Sequence, residues 1–230
     1  MKSEHSNYQL NFFTNNLDVT TTPTIIGSFL NSLSKFGLIP TFGQEINGAT
    51  GERRQIMIMT NPEQTFKVEF PAHAIIISGI NINLDEFCSK VIGVMQALES
   101  LLPLKMANRL AFVSTYIYSG SKENYQDIYK KLFTYKTAEP FEWDNRIVQK
   151  ISHENIDVKM NNVTTVKRCE IISPFIESGR PVDVIIFEVD INTDHEATSA
   201  RYNWSNAIEI VETLTKLNKE QFHLLERYTK

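Results

Sequence analysis

The sequence predicts an α+β fold, with antiparallel or mixed sheets, helices packed on one face and two closely packed subdomains. Three features point there. Alternating segments follow one another at hairpin distance, as in "RRQIMIMT" and "TFKVEFPAHAIIISGI". Helical patterns fall between groups of strands rather than after each strand, which argues against a doubly wound parallel sheet. The texture then changes near Phe141, where a run of strands begins that a single long helix closes. The chain has 230 residues, 42% hydrophobic and 22% charged, which suffices for a substantial core without disulfides.

The elements follow in order. "NYQLNFF" (Asn7 to Phe13) alternates and reads as the first strand. "TTTPTIIGSFLNSLSKFG" reads as a helix that Thr22 caps, Pro23 opens and Gly37 ends, with Ile26, Phe29, Leu30 and Leu33 as its apolar stripe. "GQEINGATGERR" (Gly43 to Arg54) reads as a glycine-rich loop or hairpin tip; its glycines and arginine pair would also let the backbone approach an anion. Two alternating strands come next, joined by the turn "NPEQ", and Pro71 marks a break within the second. "NLDEFCSKVIGVMQALESLLP" is the clearest helix, with Asn83 as cap, Glu86 three residues on and Pro103 as stop. "NRLAFVSTYIYS" returns as a strand, and "KENYQDIYKKLF" as a short amphipathic helix.

The break at residues 134–142 divides the chain into an N-terminal α+β subdomain, 1–138, and a C-terminal part, 139–230. The second part is a three-stranded meander, with turns at "HENID" and "ESGRP", plus a long closing helix that bends near Asn218. No internal sequence repeat is evident.

The net charge of −4 argues against a dedicated nucleic-acid binder, which needs a basic surplus to neutralise phosphates. Tyr116, Tyr118 and Trp143 would make a stacking platform for bases, but strand alternation favours core packing for them. The longest apolar runs are too short to span a bilayer, and "MKSEHSNYQL" lacks the pattern of a secretory leader. The expectation is a cytoplasmic protein without membrane contact, whose Cys88 and Cys169 are reduced and buried.

The most suggestive stretch is "FEVDINTDH", which places Glu188, Asp190, Asp194 and His195 within eight residues. At period two, Ile185, Phe187, Val189 and Ile191 share one face of a strand, and Val184, Ile186, Glu188, Asp190 and Asn192 share the other. Glu188 and Asp190 then stand about 6.6 Å apart along the strand, given its rise of about 3.3 Å per residue. Two carboxylates so placed can share a divalent metal, with Asp194 or His195 completing the shell, or can divide acid and base roles. The plainer reading is the solvated face of a sheet, with "NTD" as the turn that ends the strand. No nucleophile elbow, phosphate loop or paired-histidine motif occurs, so catalytic residues stay unassigned and a divalent metal is the one cofactor in view.

Two textures, "NRLAFVSTYIY" with Arg109 opening a central strand and "IIFEVDINTD" before a closing helix that runs to "FHLLERYT", resemble a sporadically distributed family of uncharacterised bacterial and archaeal proteins of similar length. The likeness covers most of the chain. It implies the patchy occurrence of accessory, mobile or defence-linked genes, and carries no activity and no catalytic residues. Arg109 needs an acidic partner or a pocket, because a guanidinium entering a strand must be compensated. The function expected is a non-enzymatic interaction or structural protein acting through a surface, with a protein partner or its own copies. The alternative is a metal-assisted hydrolase acting on a phosphate ester or nucleotide through Glu188 and Asp190.

Overall fold

The computed structural model of the chain describes all residues except 154–155, 174–175, 195–197 and 230. The first half begins with strand β1 (Lys2–Phe13), helix α1 (Pro23–Leu33) and a short 3-10 turn. Strands β2 (Ile39–Ile46), β3 (Arg53–Thr60), β4 (Phe66–Glu69) and β5 (Ala74–Ile80) follow, and helix α2 (Leu84–Leu101) closes the half. The second half comprises strand β6 (Arg109–Ser119), helix α3 (Lys122–Leu132), strands β7 (Trp143–His153), β8 (Ile156–Ser173) and β9 (Ile176–Thr193), and helix α4 (Trp204–Leu225). The fold is α+β. No helix of the described residues is long and apolar enough to cross a membrane.

The strands form one sheet in the order β2-β3-β4-β5-β1-β6-β9-β8-β7. Each described pairing is antiparallel, so the mixed alternative is not used. Both halves repeat one plan: a strand, a helix, a meander, a helix. In each, the last meander strand (β5 or β9) lies beside the first strand (β1 or β6), and β1 pairs with β6 at the centre. The repeat is one of topology, and no sequence identity is needed for it. Strand pairing runs through the expected boundary near residue 138, since β6 precedes it and pairs with β9 beyond it.

The local signals act where the chemistry requires. The Asn83 side chain accepts hydrogen bonds from the N–H groups of Asp85 and Glu86, satisfying two orphan donors of α2. Ser121 and Asn124 form a reciprocal capping box on α3. Thr22 precedes α1, but its side chain makes no capping bond there; Pro23 alone marks the start.

Three expectations are corrected. Gly43 to Ile46 belong to β2, because Ile39 to Ile46 pair residue for residue with β3, and only the tip beyond is a turn. "ESGRP" lies within β9 as an irregularity rather than a turn: Pro181 pairs with Ile172 and Ile176 with Ser173, and the register shifts between them. Asn192 and Thr193 of "NTD" are buried strand residues, not a turn.

Period two sorts the sheet into two faces. Tyr8, Leu10 and Phe12 of β1, Met57 and Met59 of β3, Phe112 of β6, and Phe187, Val189 and Ile191 of β9 point into one core. All four helices pack there. Phe29 of α1 meets Phe70 with ring centroids 4.9 Å apart, Phe87 of α2 meets Tyr8 at 5.6 Å, and Phe222 of α4 stacks on Tyr116 at 3.6 Å. On α3, Tyr129 lies 6.1 Å from Trp143, and Tyr125 carries the guanidinium of Arg168 over its ring at 5.0 Å. Arg168 also donates to both carboxylate oxygens of Asp183 and to the Pro140 carbonyl, which ties the linker before β7 to the β8–β9 hairpin. Among the described residues, no helix lies on the opposite face of the sheet.

Candidate functional site

The face without helices is the chain's most distinctive surface. Strand registers arrange it in rows. One row runs Asn161, Asn192, Ala111, Asn11, Ile76 across β8, β9, β6, β1 and β5; the next runs Val163, Asp190, Val113, Gln9, Ser78; a third runs Thr165, Glu188, Thr115, Asn7, Ile80. The centre is therefore a carpet of amides and hydroxyls. Asn11, Asn192, Thr165 and Ser78 are buried. The amides bond along the surface: Gln9 Nε2 donates to Asn11 Oδ1 at 2.8 Å, Asn161 Nδ2 to Asn192 Oδ1 at 3.2 Å, and Asn192 Nδ2 to Asp190 Oδ1 at 3.0 Å. Toward the free end of the β8–β9 hairpin, Ile176, Val182, Val184 and Ile186 form a small buried apolar cluster of their own. Over β2 to β5 it forms an open groove of about 920 Å³ flanked by Ile39, Ile58, Lys67 and Ile80.

At the end where β1 stops and β6 starts, the face meets a cleft of about 550 Å³ lined by Phe13, Thr14, His73, Asn108, Arg109 and Thr198. Arg109 lies here, with its guanidinium 5.0 Å from the Phe13 ring centroid. Phe13 is its cross-strand neighbour, so the stack follows directly from the β1–β6 register. Arg109 Nε and Asn108 Oδ1 are buried without a hydrogen-bond partner among the described residues. Buried polar groups of a native protein are mostly paired, so these two call for a partner, whether an ordered water, an ion or a ligand that enters the cleft.

No family model and no curated protein matches the chain. The assignment therefore rests on the geometry.

The candidate residues of the sequence do not all come together in the fold. Glu188 and Asp190 stand side by side on the open face, as their spacing requires. Asp194 follows β9 and is buried; its N–H donates to the Lys159 carbonyl and its own carbonyl accepts from Arg201 Nη2. His195 lies outside the described residues. Among the described residues, no three histidine, cysteine or carboxylate side chains come together as a metal-ligating group. Tyr116 and Trp143 are buried under the helices, so the base-stacking platform does not exist as a surface. His73, which reads as a strand residue, sits exposed in the turn between β4 and β5 and helps line the cleft. Cys88 and Cys169 are free and half-buried, and burial pushes the Cys88 thiol up to about 11. That is the wrong direction for a nucleophile at neutral pH.

Asp190 is the electrostatically loaded member of the surface. Burial raises its carboxyl above the ordinary range, against the pull of the Asn192 hydrogen bond and of the Arg109 and Arg146 charges. A carboxyl raised in the folded state holds its proton more tightly there than in the unfolded chain, so folding is favoured at low pH and loses that advantage as pH rises through the folded pKa. Asp190→Asn is accordingly expected to be neutral to stabilising near pH 7 and to lose this effect in acid. Urea unfolding of both proteins across pH 4 to 8 measures it. A variant clearly less stable at pH 7 would show that the carboxylate is held by more than its surface neighbours.

Proposed function

We propose that the protein is a non-enzymatic interaction protein that engages a protein partner through the helix-free face of its sheet. One observation carries this reading: a nine-stranded sheet buries one face under four helices and leaves the other, with its amide carpet and the unsatisfied Arg109 cleft, uncovered. Sheet surfaces rich in amides and hydroxyls lose little on desolvation when a partner supplies matching groups, and they discriminate strongly against partners that do not. The setting we favour is an accessory or defence-linked bacterial system in the cytoplasm, as the family resemblance suggests.

The metal-hydrolase reading has less in its favour. Glu188 and Asp190 supply two carboxylates, but Asp190 already accepts from Asn192, and no third ligand joins them among the described residues.

The test is purification of tagged protein from its own host, followed by native mass spectrometry. A stoichiometric protein partner is expected. Thr115→Arg, at the centre of the open face, should weaken that complex at least tenfold at unchanged melting temperature, because a bulky charge at an interface centre cannot be accommodated. Glu212→Arg, on the exposed side of α4, should leave it intact. The reverse pattern would move the interface to the helices. Stabilisation by Mg²⁺ or Mn²⁺ that disappears in the Glu188→Gln, Asp190→Asn double variant would instead favour the hydrolase.

A further inference from the structure

We infer that two copies of the chain join edge to edge through β7, paired antiparallel about Ile147, so that one sheet runs through a dimer. The inference rests on the protein being an interaction module, and it adds self-association at the edge of the sheet, away from the centre of the open face. Among the described residues the edge strand β7 pairs only with β8, which leaves its outer backbone able to accept another strand. It contains neither proline nor glycine, and Asp144 and residues 146–150 are exposed, Ile147 by 52% and Val148 by 50%. The opposite edge differs: Pro40 in β2 lacks a backbone donor and blunts that edge against pairing.

The charges on β7 select a register. A two-fold axis normal to the sheet maps each face onto itself, so residues paired across it must point to the same face. Only registers centred on a residue meet that condition. Centring on Ile147 sets Ile147 against its own copy. Asp144 then faces Lys150 of the other copy on the helix-free side, twice over. On the helix side, Asn145 faces Gln149 and Trp143 faces Ile151. Centring one residue earlier sets Arg146 against its own copy, and one residue later sets Arg146 against Lys150 twice. Like charges directly opposite destabilise a strand pair, and opposite charges support it. Centring on Asn145 would also pair opposite charges, Asp144 with Arg146, but it overlaps only residues 143–147 of β7, whereas centring on Ile147 overlaps 143–151, so charge and overlap together favour Ile147. A dimer of this kind would place both helix-free faces on one side of a continuous sheet.

Sedimentation equilibrium and native mass spectrometry at micromolar concentration should show a dimer for the full chain. Asp144→Lys and Lys150→Asp, both at exposed positions, should each raise the dimer dissociation constant about tenfold, since each turns two attractive pairs into two repulsive ones. Mixing the two variants should restore a heterodimer of near native affinity, because every 144–150 contact is then between opposite charges. The double variant should restore the homodimer in the same way. Thr115→Arg should leave dimerisation unchanged. A monomeric native protein, or a dimer whose strength neither single exchange alters, would overturn the inference. So would variants that fail to recover on mixing. None of these outcomes touches the partner complex on the open face, whose own test is Thr115→Arg.

Discussion

Trp204→Ala is expected to destabilise the protein by about 3–5 kcal/mol, the range for deleting a large aromatic from a core. Trp204 opens α4, is 2% exposed, and stacks on Phe12 of β1 with centroids 4.5 Å apart and planes 14° from parallel. Its indole Nε1 donates to the Leu102 carbonyl at 2.9 Å, at the end of α2, where helix carbonyls lack intrahelical partners. One side chain therefore joins β1, the end of α2 and the start of α4. Alanine removes the stack, opens a cavity and strands the carbonyl. Trp204→Phe keeps most of the burial and should cost about 1–2 kcal/mol, mainly for the lost hydrogen bond. Urea unfolding separates the two, and a melting temperature lowered by roughly 10 °C or more should accompany the alanine variant in a domain of this size. Equal losses in the two variants would show that the N–H, not the packing, dominates.

Asn218→Ala is expected to cost about 2–4 kcal/mol. Asn218 is fully buried in mid-α4, where an amide has no place unless its groups are matched. Its Nδ2 donates to the Val189 carbonyl at 2.8 Å and to the Phe112 carbonyl at 3.2 Å, and its Oδ1 accepts from Ser114 Oγ at 2.6 Å. The network fixes α4 across β6 and β9, directly behind the Asp190 row of the open face. Asn218→Leu should not recover the loss, because Ser114 would then hold a buried hydroxyl without an acceptor. Ser114→Ala alone should cost about 1 kcal/mol, and the double variant with Asn218→Leu should be less unstable than the sum of the two. A fully additive cycle would mean that the two side chains act independently. An Asn218→Leu protein as stable as the native one would show that the amide serves something other than stability.

Much of this architecture is readable in local sequence. Helix α2 announces itself by its Asn83 cap and by apolar residues at helical spacing. In β9, alternation alone separates Phe187, Val189 and Ile191 from Glu188 and Asp190, and the sheet keeps that division. Strand β2 is hidden because "IPTFGQEI" contains a proline and a glycine, both turn signals; only its pairing with β3 makes it a strand. The cleft is hidden for a different reason. Phe13, His73, Asn108 and Thr198 lie far apart in the chain, and no motif joins them.

The sequence by itself determined which residues share a face, because the periods of strand and helix are local properties of the backbone. Which face would be covered was decided only in three dimensions. That outcome depends on β1 finding β6, on β6 finding β9, and on four helices landing on the same side, all contacts between distant segments. Burial is a property of the assembled sheet. The same amides and carboxylates would read as solvent-facing on any strand, and only the assembled sheet made them the centre of an uncovered surface.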